Sequence, residues 1–108
     1  MVLIVISGTY PQHKQSEVEE SYLRALKKYP YDKSVMKRVL RLGVRATKDG
    51  YETISVYDIP DGKFSAAFKH YAAFMHEYAN IEGYRYEIKT YLDMGEAFKI
   101  LGKPVPEG

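Results

Sequence analysis

The sequence predicts an α+β fold of four strands and two main helices, in the order strand, helix, strand, strand, helix, strand, with a short helix at the end. Three observations lead to it. Residues 36–60 hold two runs of alternating apolar and polar residues on either side of Lys48-Asp49-Gly50, the pattern of an antiparallel hairpin. Residues 1–7 are almost continuously apolar, as in a strand covered on both faces. Two further segments, 16–29 and 63–78, carry their apolar residues at helical spacing.

The first strand, 1–7, is stopped by Gly8-Thr9-Tyr10-Pro11. After a loop through His13 and Lys14, Ser16 is a helix N-cap, with Glu19 three residues on to complete a capping box. Val18, Tyr22, Ala25, Leu26 and Tyr29 then share one face, and Pro30 closes the helix. After the hairpin, Asp61 is the candidate cap for the helix over 63–78, whose core face holds Phe64, Ala67, Phe68, Tyr71, Phe74, Met75 and Tyr78. His70 and His76 fall on its outer side and, six apart, do not share a face as an i,i+4 metal pair would. Asn80 or Gly83 takes the left-handed position after the helix. A fourth strand covers 84–91, and Asp93 with Glu96 forms a second capping box for a short helix ended by Gly102 and Pro104.

The hairpin register follows from its side chains. A two-residue turn at Asp49-Gly50 would pair Val44 with Ser55 and mix polar and apolar groups on each face. A three-residue loop, with Gly50 in the left-handed position, sets Val44 opposite Ile54, Leu42 opposite Val56 and Leu40 opposite Asp58. Arg45 then lies beside Thr53, Gly43 beside Ser55 and Arg41 beside Tyr57 on the other face. This second register is the predicted one, because a one-residue slip reverses every side chain.

Two strand–helix–strand units in this order make the split βαβ pattern of ferredoxin-like folds. Right-handed crossovers place both main helices on one side of a sheet ordered fourth, first, third, second. A single ferredoxin-like βαββαβ sandwich is expected over 1–103, with 104–108 a loose C-terminal tail. Helices then cover Leu40, Leu42, Val44, Ile54, Val56, Tyr86 and Ile88. The helix-free side carries Lys37, Val39, Arg41, Arg45, Tyr51, Thr53, Ser55, Tyr57, Arg85, Glu87, Lys89 and Tyr91. On that side five basic residues against one acidic residue leave a local excess of +4.

Composition narrows the function classes. With 108 residues, 45% apolar and 28% charged, the chain suits one modest core and not a disordered segment. Sixteen Lys and Arg against fourteen Asp and Glu give +2, too mild a balance to mark a nucleic-acid binder. The lack of cysteine excludes a disulfide framework, thiol catalysis and cysteine-ligated metal, and suits the cytoplasm. MVLIVISG is too short to span a membrane and lacks the basic leader of a signal peptide. No HExxH or comparable ligand spacing is present, so neither a metal nor another cofactor is expected. The only amide side chains are Gln12, Gln15 and Asn80, which beside so many charges points to a heat-tolerant source.

In the layout of its last part, where YRYEIKTYL leads into DMGEAFKIL after the split βαβ pattern, the chain resembles the dimeric α/β-barrel superfamily over residues 2–101. The resemblance implies a homodimer whose helix-free sheet faces pack together and close a two-chain α/β barrel with a partly polar interior. Members include haem-degrading and quinone-forming monooxygenases, dye-type peroxidases and ligand domains of transcription factors. It therefore implies a fold and an assembly more than an activity.

The leading expectation is a small cytoplasmic homodimer that binds a small-molecule ligand or serves as an interaction module. Val39, Arg45, Tyr51, Thr53, Ser55, Lys89 and Tyr91 would form its ligand-binding or interface surface. The first alternative is a cofactor-free monooxygenase or isomerase acting on a small hydrophobic or phenolic compound. There Arg41 and Tyr57 would orient an anionic oxygen, and His13, in the loop after a central strand, would move a proton. Each has a plainer role: His13 as a surface-loop residue, Arg41 and Arg45 as partners of Glu87 and other carboxylates. The second alternative is an RNA or single-stranded DNA module using the basic, tyrosine-bearing sheet face. The strand YETISVY lacks the RNA-recognition signature, so neither a nucleic-acid partner nor a membrane is expected.

Overall fold

A computed structural model of the chain, Met1–Gly108, contains β1 (Val2–Tyr10), α1 (Gln15–Lys28), β2 (Lys37–Thr47), β3 (Gly50–Ile59), α2 (Phe64–His76), β4 (Arg85–Leu92) and α3 (Met94–Ile100), with a 3-10 turn over Gln12–Lys14. The sheet runs β2-β3-β1-β4 with each neighbouring pair antiparallel. This is the ferredoxin-like βαββαβ topology that the order of elements predicts, with the apolar β1 inside the sheet. No helix is long and apolar enough to cross a membrane.

The sheet is open, and the expected α/β barrel is not formed. β2 and β4 are both free edges. The resemblance to the dimeric α/β-barrel superfamily therefore reaches no further than element order. That order is common to open and closed sheets, whereas closure depends on strand tilt, stagger and edge pairing, which hydrophobic periodicity does not record. The molecule measures 49 × 31 × 17 Å with a radius of gyration of 15.7 Å, against about 13 Å for a compact chain of this length.

The core lies between one sheet face and the helices. Ile4 and Ile6 of β1 and Tyr57 and Ile59 of β3 meet Tyr71, Phe74 and Met75 of α2 in one buried cluster. Ala25 and Ala67, with no accessible surface, leave room for the two helices to settle on it. Beyond the end of α2, Glu77 accepts from Arg24 at 3.0 Å and Lys28 at 3.3 Å on α1, tying the pair together. Arg24 first, and then Lys28, hold the Glu77 carboxyl below its usual range.

The hairpin departs from the expected register. Its turn is Lys48-Asp49, with Thr47 facing Gly50, Val44 facing Thr53 and Gly43 facing Ile54. Irregularities between Arg38 and Gly43 then bring Leu40 opposite Val56 and Arg38 opposite Tyr57. Gly50 does take a positive φ, +143°, but as the partner of Thr47. The two faces of β3 are consequently exchanged: Thr53, Ser55 and Tyr57 lie under the helices, while Ile54 and Val56 face away. β1 imposes this arrangement, since Tyr57 pairs with buried Ile4 and Ile59 with Val2. Burying a tyrosine ring removes more apolar area from water than burying a valine.

Local signals fared unevenly. β1 continues through Gly8 to Tyr10, and Gly8 serves close approach, because a Cβ there would lie 2.8 Å from the Tyr84 hydroxyl. Ser16 does not cap α1; the 3-10 turn, closed by Lys14 N–H donating to the Pro11 carbonyl at 3.0 Å, feeds the helix directly. Lys63, not Asp61, precedes α2, and Gly83, not Asn80, takes the positive φ after it. Asp93 caps α3 as predicted, accepting from the Glu96 N–H at 2.8 Å. The Glu96 carboxylate turns to the Met1 amino group at 3.2 Å, which also meets Asp93 at 3.0 Å.

Candidate functional site: a tyrosine-lined cavity

The reversed face of β3 builds the site. Thr53, Ser55 and Tyr57 form its floor beside Ile6; α1 contributes Val18, Tyr22 and Leu26, and α2 contributes His70, Tyr71 and Phe74. β2 contributes Arg38, Arg41, Leu42 and Val44. The cavity opens in part to solvent and has a volume of about 290 Å³, at the small end for ligand pockets. Tyr10, Tyr29, Tyr31, Tyr78 and Tyr84 also line it, so eight of the chain's eleven tyrosines converge here. The wall is therefore aromatic with hydroxyl groups set into it.

The rings hold one another in place. Tyr57 stacks on Tyr71 at 4.4 Å between centroids, and His70 meets the edge of Tyr71 at 4.8 Å. Tyr78 stacks on Tyr84 at 4.7 Å, and Tyr84 continues to Tyr10 at 5.9 Å. These separations are those of attractive aromatic pairs. Burial pushes the Tyr71, Tyr78 and Tyr84 phenols well above their ordinary range, with neighbouring tyrosines adding to it. They remain protonated and able to donate.

Charge is distributed unevenly around the cavity. The Arg38 guanidinium lies 3.7 Å from the Tyr31 ring centre, a cation–π contact, and the Tyr31 hydroxyl donates to the Met36 carbonyl at 3.2 Å. Arg41 has no ion pair; its carbonyl accepts from the Ser55 hydroxyl at 2.7 Å. Burial pushes His70 below its ordinary value, and the Asp32 carboxylate opposes that in part. Glu19 lines the cavity too, and its charge helps raise the Tyr10 phenol after burial and Tyr51. No group of three His, Cys, Asp or Glu side chains is placed to hold a metal ion.

The residues expected at a site divide between two places. Arg41, Tyr57, Thr53 and Ser55 line the cavity, while His13 lies in the exposed 3-10 turn outside its lining. Tyr51 shares the helix-covered face with Tyr10, its partner across the ladder. Arg45, Lys89 and Tyr91 lie on the helix-free face, where Arg45 pairs with Glu52 at 2.9 Å and Lys89 with Glu87 at 3.6 Å. Val39 falls in the irregular part of β2 and is 61% exposed. Sequence reasoning missed His70, whose half-buried position at the margin of the α2 core face differs from the expected outer side. It also missed Arg38, and the only available signal was its place one turn of alternation from Met36 and beside the tyrosine-rich link.

No protein-family profile matches the chain, and no curated protein shows significant sequence similarity to it. Among solved structures, the de novo designed protein Foldit4 is similar with a TM-score of 0.50 and 10% identity, over 85% of this chain and 97% of that one. A formyltetrahydrofolate deformylase from Pseudomonas putida KT2440 is similar with a TM-score of 0.46 and 11% identity, over 82% of this chain and 28% of that one. The likeness to the designed protein shows the fold alone, and the likeness to the deformylase carries no argument.

Proposed function

We propose that this chain is a small ligand-binding protein that works as a homodimer and takes a compact aromatic anion, an aryl carboxylate or phenolate, in the tyrosine-lined cavity. The observation carrying this reading is the meeting of stacked tyrosines with Arg38, Arg41 and His70 around one cavity of about 290 Å³. A planar ring suits walls already arranged for aromatic contact, and its anionic group suits two guanidinium groups and protonated phenols. Arg41 supports it further, because a cation without an acidic partner meets a ligand anion at little electrostatic cost to the fold. Homodimerisation is supported by the apolar strip on the helix-free face, where Leu3, Val5, Leu40, Ile54 and Val56 adjoin across three strands. Two open sheets stacked there would form a sandwich without closure.

Titration calorimetry with 4-hydroxybenzoate, benzyl alcohol and benzylamine tests the ligand. The expected order is the anion binding, the alcohol binding at least tenfold more weakly, and the amine not binding, with Arg41→Gln reducing anion affinity about tenfold. Equal affinity for all three, or none for the anion at millimolar concentration, refutes the reading. The catalytic alternative keeps Arg41 and Tyr57 at this cavity but not His13. The nucleic-acid alternative keeps its basic groups but loses Tyr51 and Tyr57 from the helix-free face as stacking platforms.

A further inference from the structure

β2 is a free sheet edge, paired to β3 on one side only. It is eleven residues long and contains no proline. Val39 and Val44 are 61% and 57% exposed, and Leu40 and Leu42 are exposed as well. Edge strands with such features invite pairing unless charge, proline or shortness discourages it. Here charge is the only guard along the regular part, and it has one sign. Lys37, Arg38, Arg41 and Arg45 are its charged residues, and only Arg45 has an acidic partner, Glu52. A second β2 laid antiparallel on the first, with Gly43–Thr47 of each facing the other, would set Arg45 against Arg45.

We infer that β2 is a docking edge for an extended acidic segment of a partner protein, which joins the sheet as a fifth strand. The seat is Gly43–Thr47, where the ladder to β3 runs without a register shift. Beyond it the irregular stretch between Arg38 and Gly43 breaks regular pairing. Backbone hydrogen bonds supply attachment, as in other strand additions, and side chains supply choice. An apolar side chain of the incoming strand meets Val44 on the helix side, and a carboxylate one residue away meets Arg45 on the other. Arg41 and Lys37 extend the same preference for acid beyond the seat. The attachment is independent of the cavity's ligand, since it uses backbone groups that face away from β3, and Arg41 is the one side chain common to both.

Fluorescence anisotropy with labelled short peptides tests it on the whole chain. The probes are an alternating valine–glutamate peptide, its valine–lysine counterpart, and two forms of the acidic peptide N-methylated on one or the other set of alternate backbone nitrogens. The acidic peptide is expected to bind, weakening with added salt, and the basic one not to bind. One N-methylated form should lose binding while the other keeps it, because only alternate N–H groups of a strand face the same neighbour. Arg45→Glu combined with Lys37→Glu, both exposed and outside the cavity and so compatible with folding, should lower affinity for the acidic peptide at least tenfold and admit the basic one. No binding by the acidic peptide, equal binding of both peptides, or equal effects of the two N-methylated forms overturns the inference. Protection of the outward Gly43–Thr47 N–H groups from hydrogen exchange in the dimer without peptide, the sign of β2 pairing edge to edge with β2, overturns it as well.

Discussion

At Gly50 the chain enters β3 with φ at +143°, and a Cβ added there would run into the carbonyl oxygen of Tyr10. Gly50→Ala combines a backbone conformation that L side chains rarely adopt with a collision against backbone that has no flexible end to move. It should cost about 2–3 kcal/mol, read as a lower urea midpoint with unchanged slope, and a variant as stable as the parent would contradict the geometry. His70 gives a pH dependence of definite sign. Burial lowers its folded value, so at mildly acidic pH the unfolded chain, titrating near its ordinary value of about 6.5, binds the proton first. The contribution of neutral His70 is thus full above that value and is lost as pH falls below it toward the folded value. Unfolding midpoints should drop between pH 7.5 and 5.5, and His70→Gln should flatten that drop; a parallel drop in the variant would assign it elsewhere. The positive φ of Gly50 was legible from sequence alone, because Asp-Gly between apolar runs marks a hairpin, but its place as the first residue of β3, opposite Thr47, was not. His70 was not, because a residue at the margin of a helix's core face is sorted by what the neighbouring loop places over it.

Two identical-looking start signals behave differently at the scale of the element. Ser16 with Glu19 and Asp93 with Glu96 have the same spacing, yet only Asp93 caps a helix. The difference lies upstream: α1 grows out of a 3-10 turn whose residues already have helical geometry, while β4 delivers an extended chain to Asp93, which therefore needs a cap. Asp93→Ala should speed hydrogen exchange at the Glu96 amide and the turn that follows, leaving β1 and β3 amides unchanged, whereas Asp93→Asn should preserve the slow rate. Uniform acceleration across the sheet would mean that α3 is not a local unit. The β3 faces were misread for a related reason. Alternation told two sets of side chains apart but not which set the helices cover, and tyrosine belongs to either set. Tyr57, under α2 and stacked on Tyr71, fills the covered face, and this leaves Ile54 and Val56 outside. The same exchange moved Thr53 and Ser55 from an expected interface to the cavity floor.

The whole molecule has more surface than its mass warrants. Its accessible area is 7383 Å² at 12.5 kDa, where a compact monomer of that mass has about 6,200 Å². The excess, about 1,200 Å², exceeds the roughly 800 Å² that each partner buries in a standard interface. Only 15 of 108 residues are buried, so the proposed homodimer would have enough accessible surface to bury. Element order carried no such information: strand and helix periods report which faces are apolar within one chain, and not the openness of the sheet. The helix-free strip is the face available for that burial, and Ile54 stands in it, 42% exposed beside Gly43 and Leu40. Ile54→Glu would place a charge at the junction of both copies at once, with no loss of contacts to the helix-side core. Light scattering coupled to size-exclusion chromatography should give the parent twice 12.5 kDa, and the variant a monomer mass with an unchanged circular dichroism spectrum. Charge at a half-desolvated apolar contact costs several kcal/mol, enough to move a micromolar dimer to monomer at the same concentration. A monomeric parent would leave the strip without its proposed occupant, and a variant as dimeric as the parent would move the interface off this face.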